Sequence, residues 1–176
     1  ALQLGIDMET IVAGLKKATG VLGRLEVVPT NTDYTVIIDY AHTPDGLENV
    51  INAVKEFVQG DIITVFGCGG DRDNTKRPIM GEIAGRLSDY SIITSDNPRT
   101  ENPQKIVEQI EIGMKRTDGK YKMITDRREA IAYESDHAKS GDIVILAGKG
   151  QETYQIIGKE KFDFDERIEV WKHLNK

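Results

Sequence analysis

Residues able to do chemistry are concentrated in four short polar runs. One of them, Ser95-Asp96-Asn97-Pro98-Arg99, sets a carboxylate, an amide and a guanidinium almost side by side at the end of the apolar run Ile92-Ile93. A guanidinium grips a carboxylate or phosphate through two parallel hydrogen bonds, and a carboxylate beside it can take an ammonium. Asn97 precedes a proline and is biased to an extended backbone, while Pro98 has no N–H to give a neighbouring strand. The strand must therefore stop here, either as a ligand-reading tip or as an ordinary Asp-Asn-Pro turn.

A second run, Asp39-Tyr40-Ala41-His42-Thr43-Pro44-Asp45, offers carboxylates and one histidine. His42 has acid–base capacity, but with no cysteine or second histidine near it, it is a poor metal ligand and is better suited to hydrogen bonding. His137 and His173 fall in helical patterns and are expected on the surface. The third run, Gly67-Cys68-Gly69-Gly70-Asp71-Arg72-Asp73, is either a tight turn or a loop whose backbone N–H groups approach an anion. It is not a phosphate loop, because no Gly-Lys-Ser/Thr follows, and not a dinucleotide fingerprint, because Arg72 and Asp73 stand where the third glycine belongs. Arg72, with Lys76 and Arg77 behind it, favours an acidic ligand. The fourth run is Gly148-Lys149-Gly150-Gln151-Glu152, and the plain role of Glu152, as of Asp39, is a cap or turn. Cys68 has no paired histidine in its segment and no serine occupies a nucleophile elbow. No catalytic nucleophile and no metal ligands are expected.

The elements that must position these runs follow from periodicity. Apolar strands are expected at Thr35–Tyr40, Ile62–Phe66, Tyr90–Thr94, Tyr121–Ile124 and Asp142–Ala147. Helices alternate with them. One opens at Thr43-Pro44 with Leu47, Val50, Ile51, Val54 and Phe57 on a stripe, and one follows Pro78 with Ile79, Ile83 and Leu87 inward. Asn102-Pro103 caps a third carrying Ile106, Val107, Ile110 and Met114, and Asp126 with Glu129 resembles a capping box for a fourth reaching about Ala138. A hairpin is expected over Tyr154–Phe164 around Gly158-Lys159, then a last helix with Ile168, Trp171 and Leu174. Ahead of all this, Asp7 caps a helix with Ile11, Leu15 and Ala18 on one face. The stretch Thr19–Arg24, with Gly20 and Gly23, reads as a hinge and domain boundary. The fold class is thus α/β: a Rossmann-like, doubly wound, mostly parallel sheet of about six strands with a small C-terminal hairpin and terminal helix. Right-handed crossovers put every strand-to-helix loop on one rim, so the four polar runs should converge.

Totals set the outer bounds. A chain of 176 residues, 30% charged and 39% hydrophobic, can bury a sizeable core. A formal charge of −6 argues against a general nucleic-acid binder. The single cysteine excludes an intrachain disulfide, and no apolar run approaches the roughly 20 residues a membrane span needs. The cytoplasm is the expected compartment. The chain starts at Ala1 inside a helical pattern, as a piece of a longer protein would.

Taken in order, and with Lys76-Arg77-Pro78, the four runs resemble the carboxy-terminal domain of the Mur ligases, in the branch that adds meso-2,6-diaminopimelate. Residues 1–23 resemble the last helix of the family's central ATP-binding domain and its hinge, which leaves 24–176 as the amino-acid-binding domain. The resemblance implies ATP-dependent peptide-bond formation: a carboxylate is phosphorylated to an acyl phosphate, an amine attacks, and phosphate leaves a tetrahedral intermediate. It also implies that Arg72, Asp96, Asn97, Arg99, Gly148 and Glu152 hold the amino acid, while Arg24, Asp39 and His42 reach the nucleotide. ATP and Mg²⁺ would serve the full-length enzyme, its phosphate loop, metal ligands and sugar-nucleotide site lying in other domains. The partners implied are meso-2,6-diaminopimelate and a UDP-N-acetylmuramoyl-dipeptide, and this chain alone should not turn over. Two other readings stand beside it: a free-standing α/β ligand-binding module, and a related amide ligase such as a lysine-adding enzyme or a polyamino-acid synthetase.

Overall fold

The central apolar runs become the strands of one sheet because they carry branched side chains on both faces, and both faces are covered. In the computed structural model, which describes residues 1–17 and 20–175, the strands are β1 (Glu26–Val28), β2 (Thr35–Asp39), β3 (Ile62–Phe66), β4 (Tyr90–Ile93), β5 (Lys120–Met123) and β6 (Ile143–Ala147). They lie in the order β1-β2-β6-β3-β4-β5, all parallel except β1, which pairs antiparallel with β2. A separate antiparallel pair, β7 (Tyr154–Ile157) and β8 (Glu160–Asp163), forms the hairpin. The helices are α1 (Met8–Lys17), α2 (Pro44–Lys55), α3 (Lys76–Leu87), α4 (Pro103–Met114), α5 (Arg127–His137) and α6 (Glu166–Leu174). Ala18 and Thr19, assigned above to the first helix face and the hinge, lie outside the described residues.

Alternation along each strand splits the core in two. Ile37, Phe66, Ile93 and Ile145 face α2, α3 and α4, while Val36, Ile38, Val65, Ile92 and Leu146 face α5 and α6. Helices on both faces of a mostly parallel sheet make it doubly wound. The caps act as their sequences indicate. Thr43 Oγ1 accepts from Gly46 N (3.2 Å), Asn102 Oδ1 from Gln104 N (2.9 Å), and Asp126 Oδ1 from Arg128 N (2.7 Å), each bond contributing about 1 kcal/mol.

One strand was not anticipated, and three expectations about the helices need correction. The edge strand β1 has only three residues, one of them the exposed Val27, and carries no periodic signal. Helix α2 stops at Lys55, so Phe57 lies beyond it and is exposed. Helix α3 starts ahead of Pro78 and turns Ile79 outward; its buried face is Arg77, Met80, Gly81, Ala84 and Gly85. That face is built of small residues because α4 presses on it directly: a Cβ on Gly113 would overlap the Pro78 carbonyl, and one on Gly81 the Ile110 carbonyl. A stripe of large apolar residues was the wrong signal for such a close helix pair. In α6, likewise, Ile168 and Trp171 are exposed and Val170 packs inward. Among the described residues no helix is long and apolar enough to cross a membrane.

One buried carboxyl sets a pH dependence. Glu134 on α5 is 2% exposed, and burial together with the charge of Asp142 pushes its pKa from 4.5 up to about 8. The folded state then keeps a proton that the unfolded chain releases above its ordinary value, so this contribution is full below that value and is lost as pH rises through about 8. The loss is on the order of 4 kcal/mol. Urea midpoints measured from pH 5 to 9 should fall for the wild type and stay nearly level for Glu134→Gln; equal slopes would refute the assignment. In the same assay Gly113→Ala should cost ~1–3 kcal/mol through overpacking against α3. Gly14→Ala on α1, where a Cβ meets nothing, should not destabilise.

Candidate functional site

Register brings the polar runs level. Asp39 of β2 and Phe66 of β3 both pair with Ala147 of β6, and Phe66 pairs with Ile93 of β4. The four strands therefore end on one line, and the loops leaving them enclose a cleft of about 440 Å³. All six residues expected around the amino acid line it: Arg72, Asp96, Asn97, Arg99, Gly148 and Glu152. Arg24, Asp39 and His42 line a neighbouring cleft of about 410 Å³ against α2. Tyr40, His42 and Thr43 border both.

The tip after β4 is held by the hairpin. Gln155 Nε2 donates to the Asp96 carbonyl (2.6 Å), Ile156 N to Asn97 Oδ1 (2.9 Å), and Arg99 N to the Ile156 carbonyl (3.1 Å). Arg99 adopts a left-handed backbone, φ 52°, and its carbonyl accepts from Gly158 N (2.6 Å). Its guanidinium Nη1 donates to the Gly70 carbonyl (2.9 Å). Asn97 Nδ2 donates to Glu152 Oε2 (2.9 Å), which fixes that carboxylate against the tip.

A residue given no role from sequence sits at the centre. Lys149 is fully buried, and its Nζ lies 3.3 Å from Asp96 Oδ1, 3.2 Å from Asn97 Oδ1 and 3.4 Å from Glu152 Oε2. Its only sequence signal is a lysine between two glycines at a strand end, where a surface role is the default. Neighbouring Gly148 has φ 120°, and its N–H donates to the Asp39 carbonyl (2.9 Å).

The glycine-rich loop is a packing device. A Cβ on Gly67 would overlap the Thr94 carbonyl and one on Gly70 the Pro98 carbonyl. The Gly70 N–H is already given to Asn97 O (2.9 Å) and that of Asp71 to Glu101 Oε1 (2.6 Å), so these donors face the adjoining tip and not an anion. The three cations behind the loop divide. Arg77 is buried on Glu101, at 2.8 and 2.9 Å, and holds that carboxyl below its usual range. Lys76 donates to the His42 carbonyl (2.6 Å), and Arg72 is exposed at the cleft.

Around the second cleft, Asp39 is mostly committed to the backbone. Its Oδ2 accepts from Leu25 N (2.8 Å), holding Leu25 at φ 43° and placing the Arg24 guanidinium 5.0 Å from the Tyr40 ring centre. His42 Nδ1 pairs with the Tyr40 carbonyl (2.9 Å) on an otherwise exposed side chain. Cys68 is buried against Met80, and burial pushes its thiol up to about 12, far from a thiolate at neutral pH. Among the described residues no three His, Cys, Asp or Glu side chains stand together as a metal site.

Comparison with known proteins places the chain in a family. The family model described as Mur ligase, glutamate ligase domain, matches residues 23–150. A UDP-N-acetylmuramoyl-L-alanyl-D-glutamate–2,6-diaminopimelate ligase of Alkaliphilus metalliredigens is 55% identical over 166 residues, covering 94% of this chain and 34% of its own. A ligase of the same name from Clostridioides difficile is 52% identical over 173 residues, covering 98% and 36%. A solved structure of a ligase with that name superposes with a TM-score of 0.83 at 40% identity, over 99% of this chain and 36% of the other. A murein peptide ligase from Psychrobacter arcticus, 18% identical with a TM-score of 0.63 and covering 99% of this chain and 34% of its own, shares the fold. The chain spans about a third of the length of the curated relatives it matches. It belongs to the Mur ligase family, as a glutamate ligase domain of that family.

Proposed function

We propose that this chain is the amino-acid-binding part of an ATP-dependent ligase that adds meso-2,6-diaminopimelate to UDP-N-acetylmuramoyl-L-alanyl-D-glutamate in the cytoplasm. The observation that carries this is the cleft itself, which is lined by Arg72 and Arg99 together with Asp96, Asn97 and Glu152. Diaminopimelate ends in an ammonium and a carboxylate on one carbon, where lysine has only the ammonium. A reader for it needs a cation and an anion at fixed separation. Arg99 takes the carboxylate, Asp96 and Glu152 take the ammonium, and Asn97 orients Glu152. Gly148, with no side chain and a left-handed backbone, leaves the floor beside Asp96 open. Lysine in this site would leave a desolvated guanidinium without its partner. The names of the relatives support the same substrates.

In the reaction, the amine of the bound amino acid attacks an acyl phosphate made on the dipeptide carboxylate, and phosphate leaves from the tetrahedral intermediate. This chain's part is to hold the attacking amino acid in place, which supplies orientation. ATP provides the phosphoryl group. The cleft of Arg24, Tyr40 and His42 suits contact with the nucleotide, Asp39 acting by fixing the Arg24 turn. The residues present do not fit Mg²⁺, since no three ligands gather among those described, and the sequence has no phosphate loop. Those parts belong to the remaining two thirds of the full-length enzyme. Residues 1–23 are read as part of the preceding ATP-binding domain and its hinge, a reading supported by α1, which buries none of its residues, and by a family match that begins at 23.

The test uses the full-length ligase. Wild type should favour diaminopimelate over lysine by roughly 10⁴-fold in kcat/KM. Arg99→Ala should lower kcat/KM for diaminopimelate by roughly 100-fold or more. Equal use of lysine by the wild type would overturn the substrate, and an Arg99→Ala enzyme within a few-fold of wild type would overturn the role of Arg99.

A further inference from the structure

Building on the amino-acid site just described, we infer that Lys149 is a positioning residue. Its buried ammonium gathers Asp96, Asn97 and Glu152 around one point and cancels one of their two negative charges, so the floor presents a single net charge to one incoming amine. The three ligands of Lys149 come from two places in the chain: Asp96 and Asn97 from the β4 tip and Glu152 from the loop after β6. Asn97 and Glu152 are also joined directly, Nδ2 to Oε2 at 2.9 Å, whereas Asp96 meets them through the ammonium. The ammonium is the one group that touches all three, and its contacts, all 3.2–3.4 Å, are nearly equal.

The surroundings of Lys149 make this arrangement exacting. The centres of the Tyr154 and Phe164 rings lie 5.9 and 5.7 Å from Nζ. Behind it, buried Glu166 pairs with buried Arg127 at 2.7 Å, and Lys149 contributes to the field at Glu166. Within this set Arg127 and Glu166 balance each other. Lys149 then stands against Asp96 and Glu152, which leaves one uncompensated negative charge toward the cleft. A buried lysine retained for packing alone would need only one partner; this one is shared by both carboxylates expected to meet the amine.

Removing the cation leaves two carboxylates facing each other. Two such groups sharing a site cannot both stay ionised without cost, and they must splay or take up a proton. In the full-length ligase, Lys149→Met and Lys149→Gln should therefore raise KM for the amino acid by about 30-fold or more while KM for ATP and for the nucleotide sugar changes less than about threefold. The acid limb of kcat/KM for the amino acid should move up by about one pH unit. If the wild type prefers lysine to diaminopimelate, the substrate assigned above falls, and the same two shifts are then read with lysine. A measurement on the wild type needs no variant. Among the described residues Lys149 is the one fully buried lysine, so its slowly exchanging ammonium can be followed by ¹⁵N NMR. That resonance should shift on adding the amino acid and hold still on adding ADP. Unchanged amino-acid KM and an unmoved acid limb in folded variants would overturn the inference, as would an ammonium resonance blind to the amino acid.

Discussion

The alignment of the rim depends on one buried guanidinium. Arg127 is the first residue of α5, placed there by the Asp126 cap, and its side chain runs under the sheet's edge with no exposure. It donates to the Ala147 carbonyl at the end of β6 (2.9 Å), to the Ser95 carbonyl after β4 (3.4 Å) and to Glu166 at the start of α6 (2.8 Å). One cation thus ties together the two strand ends that carry Asp96 and Gly148. Leaving any partner of such a pair alone in the interior costs roughly 3–5 kcal/mol, so the strand ends and α6 are locked as a unit. The cleft is the outer surface of that lock.

Backbone strain follows the same line. Leu25, Asp71 and Arg99 are the described non-glycine residues with positive φ, and all three sit on the rim. Each is held by contacts from elsewhere. Leu25 is held by the Asp39 carboxylate, Asp71 by Glu101 and Thr100, and Arg99 by Ile156 and Gly158 of the hairpin. A conformation costing on the order of 1–3 kcal/mol persists only where its neighbours over-determine it, and here those neighbours are the elements that shape the two clefts. The fold spends stability at its ligand-facing edge and recovers it in the core.

Much of this was legible because the signals are local. The alternation of apolar strands with capped helices gave the order of elements, and the right-handed crossover rule then brought Asp39, Arg72, Asp96 and Glu152 to one side. What stayed hidden depends on the far ends of side chains. Lys149 and Arg127 look like surface cations in the sequence, and only the sheet order, with β6 between β2 and β3, drives them inward. The glycine-rich loop was ambiguous for the same reason: close packing against a carbonyl and close approach to an anion both require missing side chains. The small-residue face of α3 escaped detection because periodicity weighs bulk, and that helix pair is fitted by the lack of it.

Under the proposed function, the hairpin shares in the selectivity. Arg99 occupies its left-handed backbone because β7 supplies an acceptor at Ile156 and the turn supplies a donor at Gly158, residues far downstream of the Asp-Asn-Pro-Arg tip. The position of the guanidinium is therefore a joint property of the tip and the hairpin. Glu152 similarly takes its place from Asn97 and Lys149 more than from its own loop. A domain that keeps the tip residues but alters the hairpin or the buried lysine would present the same side chains at a different separation. Under the assignment proposed above, a carboxylate and an ammonium on one carbon are read by that separation, so the tip, the hairpin and Lys149 specify the ligand together and the tip alone does not.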